Sequence, residues 1–352
     1  MVVWDTGCVT DVPQTPVNLP DGWTARGPEL DDLPRLVELR SADKNPFTGS
    51  SGVDEETIES EIAGLKSWTR RQQVAVDPRG VVRAWATVHD RAAGRTMVHL
   101  YVDRSVDAAA EVAASLYDWM ETRARAIAKM RGLKGTQLDA SPFAEDTVQR
   151  DWLAAAGYTK VRTWLQMTRP VTPDDAETLP EPRAGVTVRR VGTHENGLPV
   201  AADLRTVHQM LEESFADHFN SYRESFPEFV QRLREDPGHR WDHWWLAFVD
   251  NPDDPDAEPL PAGALVASLL QPGANGKEGS YVEYIGVNRR ARGRGVAKAL
   301  LFAVIRDVAE RGGDRVGLEV DADSPTGADG LYKSLGWETD YVTESWHKDI
   351  SV

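Results

Sequence analysis

One cysteine in 352 residues, Cys8, leaves no disulfide framework and no multi-cysteine metal site to build. Long apolar runs are missing too, since nothing approaches the roughly 18 to 20 residues that a bilayer crossing takes. The opening stretch MVVWDTGCVTDVPQTP has no basic segment followed by an apolar one, so no signal peptide is expected. Positive charge is in deficit: 40 Lys and Arg stand against 56 Asp and Glu, for a formal net charge of -16. A field of that sign repels nucleic acid and anionic lipid, so neither nucleic acid nor a membrane is expected as a partner. Together these features favour a cytoplasmic protein. What is present suffices for two ordinary domains: 41% of the residues are hydrophobic and 27% charged, and the charges are spread along the chain.

The stretch VTPDDAETLPEPRAG, residues 171–185, is rich in proline and acids without an apolar period, and reads as a linker. It divides the chain into expected domains at 1–170 and 186–352. On both sides the order of elements is the same: strand, two helices, several strands, helix, strand, helix, strand. After the linker, GVTVRRV is a strand, and AADLRTVHQMLEESFADHF and RESFPEFVQRLRE carry helical periodicity. Three further strands follow, the last SYVEYIGV (280–287), then an amphipathic helix ending at a glycine pair, a strand RVGLEVDAD, a short helix PTGADGLYKSLGW and a final strand. Before the linker, QQVAVDPRGVVRAWATVHD reads as a hairpin turning at DPRG. HLYVD can be laid on EYIGVN, LDASP on VDADSP, and WLAAAGY on LYKSLGW, in the same order and with similar gaps. The chain therefore reads as a duplication of one whole domain.

The basic residues concentrate at one place. Arg290-x-x-Gly293-x-Gly295 lies directly between a strand and a helix. A helix start leaves backbone N–H groups unpaired and carries the positive end of the dipole. Glycines there let the chain turn tightly and let phosphate oxygens approach the backbone. Arg290, Arg292 and Arg294 add charge that pairs with phosphate. Two better-known phosphate motifs do not match: Lys298 stands where a dinucleotide fingerprint needs its third glycine, and there is no Gly-Lys-Ser/Thr. An ordinary glycine turn with solvated arginines is the competing reading of this segment alone.

Arg-x-x-Gly-x-Gly after YIGV, followed about 30 residues later by LEVDADSPTGADGLYKSLGW, resembles the GNAT superfamily of CoA-dependent N-acetyltransferases. The resemblance covers residues 185–352, and the duplicated layout resembles the tandem members of that superfamily. It implies an α/β (α+β) fold of two tandem GNAT-like domains, each a mostly antiparallel mixed sheet with splayed central strands flanked by helices. It implies acetyl-CoA as acyl donor and a small-molecule amine as acceptor. The amides from Arg292 through Gly293, Arg294, Gly295 and Val296 to Ala297 would cradle the pyrophosphate. Backbone groups of Ile285 and Val287 would pair with the pantetheine arm and polarise the thioester carbonyl. Ser324 stands where the family often has asparagine, and its hydroxyl can still bond the CoA arm. Tyr332 matches the family's acid for the departing thiolate; a phenol of pKa near 10 can protonate or hydrogen-bond a thiolate of pKa about 8.5. Glu283 is the expected base, placed by strand alternation on one face with Ile285 and Val287; some relatives carry the base two residues earlier, at Tyr281 here. Asp217 and His218 are reserve candidates for base or acceptor recognition, with Phe219, Tyr222 and Phe226 as walls of an acceptor cleft. His239 and His243 are four apart with no third ligand type near, so they are expected at the surface and no metal is expected.

The first half supplies a control. Ser105 falls where Arg290 is, Ala108 at Gly293, Ala110 at Gly295 and Leu153 at Tyr332, with Asp107 and Glu111 near the helix start. That half is expected to have lost acetyl transfer, and is left to shape the acceptor cleft or hold a homodimer together. The alternative to an enzyme is a non-catalytic CoA-binding regulatory or scaffolding protein, against which the presence of both Tyr332 and Glu283 weighs.

Overall fold

The fold is that of a computed structural model. It describes residues 16–49, 53–91, 95–216, 224–251, 253–254, 256–273, 275–324 and 327–352. The elements run β1 (Thr24–Arg26), α1 (Leu33–Thr48), α2 (Glu55–Ile62), β2 (Arg70–Val76), β3 (Val82–Arg91), β4 (Arg95–Val102), α3 (Ala109–Met130), β5 (Gly135–Ala140), α4 (Thr147–Ala155) and β6 (Thr159–Pro170). Then follow α5 (Asp175–Thr178), β7 (Val186–Arg190), α6 (Ala201–Phe215), α7 (Phe226–Arg234), β8 (His239–Val249), β9 (Leu260–Leu270), β10 (Gly279–Val287), α8 (Val296–Glu310), β11 (Arg315–Asp321), α9 (Ala328–Ser334) and β12 (Glu338–Ser351). This is the repeated order that the sequence pattern predicts. It makes a mixed α/β fold.

The chain forms two compact units, Met1–Val161 with Glu344–Val352, and Arg162–Thr343. The division therefore does not fall at the expected linker. Strands β1-β2-β3-β4-β5-β12 lie side by side in the first unit and β6-β11-β10-β9-β8-β7 in the second. Strand β6 pairs with β11 from Trp164↔Asp321 to Pro170↔Arg315, and β12 pairs with β5 from Trp346↔Ala140 to Ser351↔Gly135. Each unit thus takes one strand from the half of the sequence expected to form the other. Residues 171–185 are not a free linker either: Val171, Ala176 and Leu179 pack with the α8 core, and Asp175 is buried against Arg169 at 2.7 Å. Acidic and proline-rich composition hid a segment anchored by a few apolar residues and one ion pair.

Within each unit the sheet carries apolar side chains on both faces. In the second unit, Val282, Leu318 and Val320 pack with Leu300, Val304 and Val308 of α8, whereas Leu246, Ala264 and Val266 pack with Leu211 of α6 and Phe229 of α7. In the first, Val112, Leu116 and Met120 of α3 make a stripe at helical spacing against Val98, Leu100 and Leu138. His243 is buried rather than at the surface, its Nδ1 2.9 Å from Asp242 Oδ1 and its Nε2 3.6 Å from buried Asp307, on a strand whose next residues, Trp244 and Trp245, are both buried.

All strand pairs within each unit are antiparallel except β4–β5 and β10–β11, which are parallel. Both parallel pairings are short. β10 and β11 pair from Gly279↔Arg315 to Val282↔Leu318 only, although both strands continue. β4 and β5 pair from Arg95↔Gln137 to Met97↔Asp139 only. In the second unit the central strands part beyond Val282 and Leu318.

Candidate functional site

A β-bulge shapes the splay in the second unit. Along β10, Val282 registers with Ala267 and Tyr284 with Val266, so Glu283 is the extra residue of the bulge. A bulge adds one residue and resets the alternation of side chains. Val282, Ile285 and Val287 consequently lie with the α8 core, and Tyr284 with the core under α6 and α7. Glu283 joins Tyr284 there: its Oε1 accepts from Ser268 Oγ at 2.8 Å, and it borders a cavity of about 80 Å³ with Arg232, Asp236 and His239. Simple alternation put Glu283 on one face with Ile285 and Val287; the bulge turns it to the other. In the first unit, β3 and β4 pair from Ala84↔Val102 to Arg91↔Arg95 without such a break.

The segment after β10 folds as a turn held by its own side chain. Asn288 Oδ1 accepts from the Arg290 amide at 3.0 Å, and a 3-10 turn covers Arg289–Ala291. Gly293 and Gly295 have φ of 79° and 89°, in the left-handed region where a Cβ is strained. Gly295 caps α8 with no side chain bonded to the helix start. The amides of Arg292 and Arg294 bond back to Arg289 and Ala291, at 3.3 and 3.4 Å. Those of Gly293, Gly295, Val296 and Ala297 have no acceptor among the described residues. Four N–H groups at the positive end of a helix are thus left for an anion. Arg290 and Arg292 are exposed, and neither has an acidic partner among the described residues. Arg294 instead donates to Asp250 O at 3.3 Å. Arg183, from the segment read as a linker, donates to Gly293 O at 3.2 Å. It lies across Gly295, where an added Cβ would come within 3.0 Å of its Cδ. No local pattern flags Arg183; only the return of residues 171–185 onto the unit brings it there.

Ile285 and Val287 lie beyond Val282, where β10 has no β11 partner, and pair only with Leu265 and Gly263 of β9. Ser324 follows β11, with its amide 3.2 Å from Asp321 O. Tyr332 of α9 is buried in the α8 core, edge-on to Trp337 at 5.9 Å between centroids. Burial pushes its hydroxyl pKa up to about 12. Asp217, His218, Phe219 and Tyr222 lie outside the described residues, and Phe226 packs against His208 at 5.8 Å.

Three residues not singled out as a group meet on the α6–α7 face. Gln166 of β6 donates to Glu319 of β11, and its Oε1 accepts from Tyr281 of β10 at 3.3 Å. Glu319 comes directly after Leu318, where the parallel pairing ends. Its side chain reaches solvent, yet the surrounding protein holds its carboxyl above the ordinary range. Burial also pushes the Tyr281 hydroxyl up, helped by the charges of Glu319 and Glu283.

The first unit lacks the corresponding open ends. After β4, Asp103 accepts from Arg35 and Arg83 at 2.7 and 2.8 Å, and Arg104 is clamped by Asp146 and Asp43. Ser105 Oγ bonds Asp103 at 2.6 Å, and Ala108 caps α3 at φ -80°, with Glu111 in the first turn. Leu153 is fully buried. On the α1–α2 face, Arg40 stacks over Trp85 and Tyr101 and pairs with Glu61 at 2.6 Å.

Two central strands parallel but parted, with a glycine turn feeding a helix from one of them, define a class. Residues 207–337 match the family model described as Acetyltransferase (GNAT) family. A mycothiol acetyltransferase of Thermobispora bispora is 33% identical over 200 residues, which are 54% of this chain and 59% of the relative. The match thus spans less than two thirds of that relative's length. Among solved structures, a GCN5-related N-acetyltransferase from Sphaerobacter thermophilus is 25% identical with a TM-score of 0.70, over 95% of this chain and 98% of that one. A tandem GNAT protein from the clavulanic acid biosynthesis pathway shares the fold over 94% of this chain and 98% of its own, at 13% identity and a TM-score of 0.65. The GNAT fold, in tandem, accounts for most of the chain.

Proposed function

We propose that the chain is an acetyl-CoA-dependent N-acetyltransferase acting directly on a primary amine of a small molecule. The observation that carries this reading is the row of unpaired amides at Gly293, Gly295, Val296 and Ala297, beside the edge of β10 that β11 leaves open. These amides, with Arg290 and Arg292, hold the pyrophosphate of acetyl-CoA. Backbone groups of Ile285 and Val287 orient its arm and polarise the thioester carbonyl, and the Ser324 hydroxyl bonds the arm beyond β11. Bound acetyl-CoA supplies an acyl group activated for attack by an amine.

Glu283 takes the proton lost by the acceptor nitrogen, directly or through a water, as the new C–N bond forms. Tyr332 gives its proton to the sulfur as the C–S bond breaks. A phenol pushed up to about 12 stays protonated throughout the working range, so the donor is always loaded. The transfer is feasible because the same apolar surroundings raise the pKa of a thiol. Acid and base stand on opposite sheet faces, which suits donor and acceptor approaching the open edge from two sides. The T. bispora relative, named for acetylation linked to mycothiol, fits a small-molecule acceptor.

In the first unit, clamped Arg104, Ala108 at the helix cap and Arg40 filling the α1–α2 face support a copy that has lost acetyl transfer. It serves to shape the acceptor cleft or to hold a homodimer. A cytoplasmic location fits this role. The test is thiol release from acetyl-CoA across a library of primary amines, by wild type and Tyr332→Phe. Turnover that falls about 100-fold in the variant, with the KM for acetyl-CoA unchanged, is expected. CoA binding without turnover on any amine would favour a regulatory role instead.

A further inference from the structure

The cavity of about 80 Å³ beside Glu283 takes no part in the machinery just described. Two irregularities of the sheet meet at it. On the β10 side of Ala267 the extra residue is Glu283 itself. On the β8 side, residues 240–243 fall between His239, which registers with Ser268, and Trp244, which registers with Val266. Ala267 of β9 is thus flanked by added residues on both edges, and bulges of this kind re-aim side chains. Ser268 joins the two strands: it registers with His239 across one ladder, and its hydroxyl donates to Glu283 across the other at 2.8 Å.

His239, expected at the surface, has its Nε2 buried with no hydrogen-bond partner among the described residues. Its ring is held edge-on by Trp241 at 4.4 Å and by Trp244 at 5.7 Å between centroids. The charged and titratable groups around it are Arg232 and Arg234 of α7, Asp236 just after it, Asp242 and His243 of β8, and Glu283 of β10. Arg232 is committed to Glu224 by bonds of 2.8 and 2.6 Å, and Asp236 Oδ1 accepts the Gly238 amide at 2.8 Å. Burial leads these influences and pulls the imidazole pKa down to about 4, so the ring is neutral across the working range. A buried ring nitrogen without a partner is costly. A polar cavity of this size has room for water, which needs about 10 to 15 Å³ per molecule and bonds two or more polar groups.

We propose that His239 is a positioning residue for the base: its Nε2 holds water in this cavity against Glu283, and that water donates to the carboxylate and keeps it ionised and aimed. The imidazole suits this in either tautomer. With a proton on Nε2 it donates to the water oxygen; without one it accepts from the water, whose second proton remains for Glu283. Being neutral, the ring adds no charge that would titrate alongside the base. The link to turnover rests on the reading of Glu283 as base, whereas the water and its hold on the carboxylate are testable without it.

The experiment follows the Glu283 carboxyl by NMR of its labelled carbon in the full chain, with Glu283→Gln to assign the signal, in wild type, His239→Phe and His239→Gln. Phenylalanine keeps a ring against Trp241 and Trp244 without a nitrogen; glutamine restores a polar end. In H239F the Glu283 titration should move up by about one pH unit, the scale of one bond lost to a charged group, and in H239Q it should return close to wild type. Thiol release from acetyl-CoA should follow. The acidic limb of kcat/KM for the amine should move up by the same amount in H239F, so that turnover falls about tenfold on the limb and much less on the plateau. A residue serving only the fold would lower the plateau and leave the limb in place. In a crystal structure of the wild type that shows ordered water, a molecule within hydrogen-bond reach of both His239 Nε2 and Glu283 is expected; a dry cavity overturns the proposal whether or not H239F folds. A Glu283 titration that H239F leaves unmoved overturns it too, as does an effect confined to the KM for the amine, which would put the acceptor itself in the cavity. A shifted Glu283 titration with no turnover on any amine sinks the acetyltransferase reading and leaves the water site standing.

Discussion

Tyr332, Glu319 and Arg40 show what the surrounding protein does to single groups. Tyr332 does not titrate below about pH 12, so a basic limb of the kcat profile at lower pH belongs to another group and should persist in Tyr332→Phe, measured over pH 6 to about 10. Glu319 has the opposite leverage on stability. Its pKa is raised in the folded state, so folding holds its proton more tightly than the unfolded chain does, and stability falls as pH rises through that window. Glu319→Gln removes the loss; thermal unfolding should show a larger gain over wild type at pH 8 than at pH 4. Arg40 is enclosed by Trp85 and Tyr101 and neutralises Glu61, whose pKa is lowered by that cation against the effect of burial. Arg40→Ala strands a buried carboxylate and should cost about 3 kcal/mol in denaturant unfolding, the usual scale for breaking a buried pair. Of these, the sequence singled out Tyr332 from its motif. Glu319 and Arg40 carried no local mark, because their partners lie 153 and 21 residues away.

The two copies of one element, the turn into the long helix, differ in what their backbone can do. At Gly295 the chain is left-handed with Arg183 pressed on it, and at Ala108 it is not. Gly295→Ala should therefore cost about 1 to 2 kcal/mol of stability and raise the KM for acetyl-CoA, whereas Ala108→Gly in the first unit should leave acetyl-CoA kinetics alone. Steady-state kinetics and unfolding of both variants separate a cradle from a mere turn. The glycine spacing and the arginines were legible because a helix start is local chemistry. The bulge at Glu283 was not: it depends on Val282 and Tyr284 registering with consecutive residues of β9, which no alternation pattern along β10 records. That one extra residue moves Glu283 from the face of Ile285 and Val287 to the face of Tyr281 and Glu319.

For the molecule as a whole, the exchange of edge strands has the largest consequence. A fragment cut at the apparent linker, residues 186–352, loses β6, and with it Met167 and Val171 from the α8 core and Gln166 beside Glu319. It also exposes the edge of β11 along seven registered positions. Such a fragment should aggregate or fail to give a dispersed NMR spectrum, while a fragment that keeps residues 162–185 should fold measurably better.

The sequence by itself determined the duplication, the order of elements, the acidic whole with one basic turn, and the contrast between glycines in one copy and alanines in the other. Those are properties of composition, periodicity and short spacing, each set within a few residues. Tertiary structure alone decided which strand completes each sheet, which face Glu283 occupies, and that Gln166, Tyr281 and Glu319 meet. Register and strand exchange join residues far apart in the chain, and the free energy that selects them is the burial of whole sheet faces, which no single segment carries.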